Sequence, residues 1–212
     1  MSTTKVFIVD DHEVVREGLR AVLQRDPAMS VVGTSEDTVE LVSKLKKVQP
    51  DVIILDISLP HKSGLDSLKE LRQHFPKTRV LILSMHPEER FAVRALRAGA
   101  SGYLNKQTAA EELIKAIHKI MNGRKYVSAG LAEQLADELD RKSASQPHTD
   151  LSDREFEIMR LIAMGEGASD IAKKLHLSVN TVSTYRTRIL EKIRVKTTAE
   201  LTRYALEHRL ID

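Results

Sequence analysis

Five short apolar runs recur through residues 1–123: KVFIV (5–9), SVVGT (30–34), DVIIL (51–55), RVLIL (79–83) and SGYLN (101–105). Between them the apolar residues fall at a spacing near 3.6, as in Val15, Leu19, Val22 and Leu23, or Leu65, Leu68 and Leu71. Uninterrupted runs rich in Val, Ile and Leu suit strands covered on both faces, and the spaced residues suit helices that cover them. Strands alternating with helices require right-handed crossovers. The expected fold is therefore α/β, a doubly wound parallel sheet of five strands with helices on both faces. Ligands of such sheets gather beyond the carboxyl ends of the strands.

Chemistry-bearing residues stand at those ends. The first run leads into Asp10 and Asp11, the third into Asp56, the fourth into Ser84 and the fifth into Lys106. Taken singly each has a plain explanation: an Asp-Asp turn in water, a turn-forming Asp56, a helix-capping Ser84, a solvated Lys106. Their coincidence on one sheet edge points to phosphoryl transfer onto a carboxylate. Adjacent carboxylates repel and lose water unless a cation compensates, and oxygen ligands with incomplete dehydration suit Mg²⁺. Zero cysteines leave only oxygen and histidine as metal ligands. In this scheme Asp56 is the nucleophile, while Lys106 screens the incoming phosphoryl oxygens and Ser84 hydrogen-bonds the bound group.

Residues 1–123 resemble the receiver domain of a two-component response regulator, a flavodoxin-like fold. The resemblance rests on Asp10, Asp11, Asp56, Ser84 and Lys106, with Pro60 and Gly64 in the loop after the acceptor. It implies that Asp11 and Asp56 ligate Mg²⁺, that Asp10 does so directly or through water, and that the carbonyl of Ser58 adds a ligand. It also implies that Tyr103 is the aromatic whose exposure follows the movement of Ser84. Edge packing accounts for Tyr103 equally well. Gln107 follows Lys106 where many receivers have proline. No kinase motif accompanies these residues, so the phosphoryl group must come from a partner, by the resemblance a sensor histidine kinase, or from a small phosphodonor.

After Gly123 the pattern changes. YVSAGLAEQLADELDRK reads as a linker helix and SASQPHTD (143–150) as a flexible linker, so 124–150 separates the first domain from a second, all-α one at 151–212. There LSDRE opens a helix with the capping-box pair Ser152 and Glu155. Gly165 and Gly167 end it, and a short helix with Ile171, Ala172 and Leu175 follows. Ser178 then caps VNTVSTYRTRILEKI. At ~100° per residue, Val182, Tyr185, Ile189 and Ile193 of that helix share a stripe, leaving Ser183, Thr184, Thr187 and Arg188 opposite. Small polar residues beside arginine let a helix enter the major groove.

Formal net charge is only +3, but Lys173, Lys174, Arg186, Arg188, Lys192, Arg194 and Lys196 face one acid, Glu191, between 173 and 196. Such a cluster is a footprint for a polyanion, although a solvated helix face can also be basic. Residues 151–208 resemble the LuxR-type helix-turn-helix of NarL/FixJ-type regulators. The family likeness implies that Thr181, Ser183, Thr184, Thr187 and Arg188 face double-stranded DNA, with Arg186, Lys192 and Lys173 at its backbone. Ser183 and Tyr185 stand where the group's TVKxH pattern has lysine and histidine, which brings the chain nearer the GacA/UvrY-like branch. A homodimer is implied as well, because two recognition helices need spaced half-sites. The last helix, with Leu201, Tyr204, Ala205 and Leu206, could pair with its copy or pack within its own domain.

No apolar stretch approaches the ~20 residues of a membrane span, and MSTTKVF lacks the regions of a secretory signal. The expectation is a cytoplasmic transcription regulator, not an enzyme, switched by phosphorylation of Asp56 with Mg²⁺ as cofactor. An aspartyl phosphatase would commonly carry a second Asp two residues after the nucleophile, where this chain has Ser58. A second alternative, a receiver serving only to dimerise, leaves the intact acceptor and lysine unexplained.

Overall fold

The structure, a computed structural model, describes residues 3–59, 64–85, 88–128, 130–133 and 146–211, apart from the side chains of Glu89 and Arg90. Pro60, Pro87 and most of the linker, 134–145, lie outside the described residues. The chain divides into two compact units, Met1–Leu139 and Asp140–Asp212.

In the first unit β1 (Thr4–Val9), β2 (Met29–Ser35), β3 (Val52–Asp56), β4 (Arg79–Ser84) and β5 (Gly102–Asn105) form one parallel sheet in the order β2-β1-β3-β4-β5. They alternate with α1 (Glu13–Leu23), α2 (Leu41–Val48), α3 (Gly64–His74), α4 (Glu88–Arg97) and α5 (Ala109–Met121). Side chains alternate across a strand. Val6, Ile8, Val52, Ile54, Leu81, Leu83 and Leu104 therefore share one face, packed under Leu19, Val22 and Leu23 of α1 and Leu113, Ala116, Ile117 and Ile120 of α5. Phe7, Val9, Ile53, Leu55, Val80, Ile82 and Tyr103, also buried, point the other way. A buried Leu or Ile of this kind contributes about 1.5–3 kcal/mol, so both faces resist any slip that would move the strand ends.

Register brings those ends level. Val9 pairs with Leu55, Asp56 with Leu83, and Ser84 with Asn105. The strand order reverses between β1 and β3, and the crevice outside their carboxyl ends is where doubly wound sheets hold ligands. Asp10 and Asp56 line it.

The first unit extends past the boundary at 123 expected from sequence. Tyr126 accepts a hydrogen bond from the Tyr103 N–H (3.0 Å) and donates its own N–H to Ser101 O (3.1 Å), adding a one-residue parallel bridge along β5. Its hydroxyl donates to Glu112 Oε2 at 2.6 Å. The Ser128 N–H donates to Glu88 Oε1, and Leu131 is buried. An unpaired sheet edge invites association with other chains, and this segment covers it. Its polar, irregular sequence hides that role.

In the second unit α6 (Asp153–Ala163), α7 (Ala168–Lys174), α8 (Val179–Ile193) and α9 (Thr198–Glu207) follow a 3₁₀ turn at Pro147–Asp150. The Ser152–Glu155 capping box forms as expected, and α6 ends at Gly165, whose φ of 88° satisfies a left-handed stop. Phe156, Met159 and Ile162 of α6, Ile171 of α7, Val182, Ile189 and Ile193 of α8, and Leu201 and Ala205 of α9 are all buried. Buried arginines tie the helix ends together. Arg154 reaches Leu175 O at 2.8 Å and Glu157 at 2.7 Å, and Arg160 reaches Leu210 O at 2.8 Å.

One glycine sets the spacing between β3 and α3. A Cβ on Gly64 would stand 2.1 Å from Asp56 O, so no side chain fits unless the Asp56 backbone shifts. Gly64→Ala should lower stability in urea unfolding by about 2 kcal/mol; an unchanged midpoint would contradict this packing.

Candidate functional site

Lys106 Nζ lies 2.7 Å from Asp10 Oδ2 and 2.7 Å from Asp56 Oδ2, so one ammonium bridges the ends of β1 and β3 from the end of β5. Both carboxylates are almost fully buried, with side chains 1% and 2% exposed. Asp56 Oδ1 accepts the Ser58 N–H at 3.1 Å. Burial pushes the Asp56 carboxyl above its ordinary pKa; Lys106 opposes this and the charge of Asp10 adds to it. For Lys106, burial pulls the pKa down, but the pull of Asp56 and Asp10 is stronger and the net shift is upward.

The remaining acids close the site. Asp11 Oδ1 lies 2.6 Å from His12 Nδ1, and Asp10 Oδ1 accepts the His12 N–H at 3.0 Å. Arg16 donates to Asp10 O at 2.7 Å, fixing the loop from the first turn of α1. Asp10 Oδ2 and Asp11 Oδ1 are buried and, despite the nearby Lys106 and His12 nitrogens, receive no well-directed hydrogen bond. One ligand atom from each of Asp10, Asp11, His12 and Asp56 falls within 4.8 Å of the others. Ionised, the three carboxylates carry three negative charges against one on Lys106, a surplus of two that a divalent cation matches. Oxygen donors, under-satisfied carboxylates and that surplus all fit Mg²⁺.

Sequence-expected residues are thus brought together at Asp10, Asp11, Asp56 and Lys106, with Ser58 in the turn after Asp56. Ser84 is buried at the end of β4, level with Asn105, and Tyr103 is buried in β5 two residues before it. His12 and Arg16 were not anticipated. His12 adjoins the acidic pair in sequence, but its placement depends on the chain turning into α1, a geometry that spacing does not reveal.

In the second unit Ser183, Thr184, Arg186, Thr187 and Arg188 are exposed on α8, with Thr181 and Tyr185 half-buried. Asn180, Thr181, Thr184, Tyr185 and Arg188 line a shallow hollow along this helix. Ser183, Thr184 and Thr187 donate their hydroxyls to carbonyls four residues back, at 3.0, 3.0 and 3.3 Å. Their oxygens keep lone pairs for incoming donors.

The expected phosphate-contacting cations divide. Lys173 is exposed, whereas Arg186 donates to Thr198 Oγ1 at 2.9 Å and Lys192 pairs with Glu155 Oε2 at 2.6 Å. Lys192 is therefore anchored to the capping box of α6. The Glu155 carboxyl feels burial first, which raises its pKa, but Lys192 and Ser152 together bring it below the ordinary value.

Comparisons with known proteins agree with this geometry. Residues 6–118 match the response regulator receiver domain, and residues 149–205 match the bacterial regulatory proteins of the luxR family. The oxygen regulatory protein NreC of Staphylococcus carnosus is 40% identical over 98% of this chain and 99% of its own. Among solved structures, the RcsB response regulator of Salmonella typhimurium is 30% identical over 96% of this chain and 97% of its own, with a TM-score of 0.66. RcsB of Salmonella enterica serovar Typhimurium bound to promoter rprA in the presence of phosphomimetic BeF3⁻ is 29% identical over 96% and 98%, also at 0.66.

Two measurements check these sites. Asp56's raised pKa means that its contribution to stability is full below the unfolded value of 3.8 and is lost as pH rises through the folded value. Metal-free Asp56→Asn should therefore unfold at higher urea than the native chain at pH 7, because Lys106 then balances Asp10 alone; a lower midpoint would contradict the charge surplus. Glu155 has the opposite sign, stabilising above the unfolded value of 4.5 and less as pH falls through the depressed one. Lys192→Ala should cost about 1 kcal/mol near neutral pH, and no loss in thermal unfolding would show that the pair is idle.

Proposed function

Because the chain belongs to the two-component response regulators that join a receiver domain to a luxR-family DNA-binding domain and control transcription in a phosphorylation-dependent way, we propose that Asp56 is its phosphoacceptor. The observation that carries this is the pair of 2.7 Å contacts from Lys106 to Asp56 and Asp10. A carboxylate oxygen of Asp56 attacks phosphorus, the bond to the donor's leaving group breaks, and an acyl phosphate results. Lys106 keeps its charge and turns one N–H from Asp56 to the arriving phosphoryl oxygens. The Ser84 hydroxyl, level with this end of the sheet, hydrogen-bonds the same group.

Asp10, Asp11 and Asp56 would hold Mg²⁺, with the Ser58 carbonyl as a further ligand; bound there, the ion would neutralise charge on the phosphoryl oxygens. A sensor histidine kinase is the proposed phosphodonor. Among the described residues no helix is long and apolar enough to cross a membrane, and a cytoplasmic location is proposed.

Double-stranded promoter DNA is the proposed target of α8. Thr181, Ser183, Thr184, Thr187 and Arg188 are assigned to the groove, and Lys173 to phosphate. Arg186 and Lys192, expected at phosphate, are assigned first to holding α8 against α9 and α6, since they contact Thr198 at 2.9 Å and Glu155 at 2.6 Å. Phosphorylation is proposed to control homodimerisation and promoter binding. Burial of Tyr103 and its N–H bond to Tyr126 support a route from the acceptor end of the sheet toward the linker.

Asp56→Asn should abolish Mg²⁺-dependent labelling by acetyl phosphate, and labelling at the native level would overturn the acceptor assignment. Arg188→Ala should cost about 1–3 kcal/mol on the best site and relax preference there, whereas Lys173→Ala should weaken all sites and reduce the salt slope by about 1. Footprinting and salt titration of both variants decide this, and identical behaviour would refute the division of roles.

A further inference from the structure

We propose that His12 is a fourth side-chain ligand of the acidic cluster and that its imidazole tilts the site toward Mn²⁺ and later first-row ions relative to Mg²⁺. This rests on the reading of Asp10, Asp11 and Asp56 as the divalent-cation site and extends it to the ion the site prefers.

His12 Nδ1 lies 2.6 Å from Asp11 Oδ1 and 3.6 Å from Asp10 Oδ1. At that first distance a hydrogen bond would be expected, yet Asp11 Oδ1 receives none of good direction; Asp10 Oδ2 likewise lacks one, although it is ion-paired with Lys106 at 2.7 Å. Two donor atoms that face one space without satisfying each other are arranged as neighbouring ligands of a shared cation. Ligand atoms of an octahedral ion with bonds of about 2.1–2.2 Å stand about 3 Å apart when adjacent and about 4.3 Å when opposite. The donors lie within 4.8 Å of one another, so the widest separation closes by about half an ångström to reach the opposite-ligand distance, while His12 Nδ1 and Asp11 Oδ1, now 2.6 Å apart, open by about 0.4 Å to admit an ion between them.

The backbone holds the ring near this position. His12 precedes α1 in extended conformation, its N–H bonded to Asp10 Oδ1 at 3.0 Å, and the next turn is tied by Arg16 to Asp10 O at 2.7 Å. The imidazole itself is 68% exposed, so it occupies the solvent side of the cluster, where a water can replace it. That matters for selectivity. Mg²⁺ keeps several waters and prefers oxygen, and it loses little when the ring gives way to water; transition ions gain from an imidazole nitrogen.

The test uses the full, unphosphorylated chain with Mg²⁺ or Mn²⁺ alone. Calorimetry compares native protein, His12→Asn and Asp11→Asn, and electron spin-echo modulation of the Mn²⁺ form reports a directly coordinated ¹⁴N. His12→Asn is expected to weaken Mn²⁺ about tenfold and Mg²⁺ by less than twofold, with loss of the ¹⁴N modulation present in the native chain. Equal weakening of both ions, or Mn²⁺ bound without coordinated nitrogen, would overturn the assignment of His12 while leaving the carboxylate site standing. Mn²⁺ that fails to bind, or binds undiminished in Asp11→Asn, would overturn the carboxylate site and this proposal together.

Discussion

A single ammonium group sits between two carboxylates that have almost no access to water. Lys106 touches Asp10 and Asp56 at 2.7 Å each, yet it supplies only half the charge needed to neutralise them, and Asp11 adds more. Buried charge without full compensation is costly. Here the cost is confined to one rim of the sheet and offset by apolar packing on both of its faces. In the proposed reading the imbalance fits the site to take in a divalent cation and a phosphoryl group, and Asp56 becomes a position where stability and function oppose each other.

The fold was largely legible because its signals are redundant. Uninterrupted runs such as VIIL before Asp56 leave few alternatives to a buried strand, and once five strands are parallel their ends must lie on one edge. Convergence of Asp10, Asp56, Ser84 and Lys106 then follows from topology rather than from any local pattern. What sequence could not convey was how each polar group is oriented. His12 and Arg16 join the site through the turn into α1. Tyr126, in a segment that reads as linker, is drawn back along β5 by two backbone hydrogen bonds, which need no particular side chain.

The second unit shows the same limit from the other side. Composition locates a basic cluster correctly but cannot say which cations are already engaged. Lys192 and Lys174 have acidic partners at 2.6 and 2.8 Å, and Arg186 has a hydroxyl, so part of the positive charge is committed to holding the helices together. Arg188 and Lys173 remain exposed. The periodicity of α8 fared better, since Val182, Ile189 and Ile193 are buried as expected and fix which face turns outward, whereas Tyr185 of the same stripe is only half-buried and lines the hollow beside Thr181, Thr184 and Arg188.

The central claim is that Asp56 carries a charge its surroundings do not fully balance. It is tested most directly by carboxyl ¹³C NMR titration of Asp56 in the metal-free chain and again with saturating Mg²⁺. The account predicts a midpoint above the ordinary 3.8 without metal and a clear fall when the cation is added. A midpoint at or below 3.8 that ignores Mg²⁺ would mean that Lys106 already satisfies Asp56, and the site would then have no charge deficit to fill.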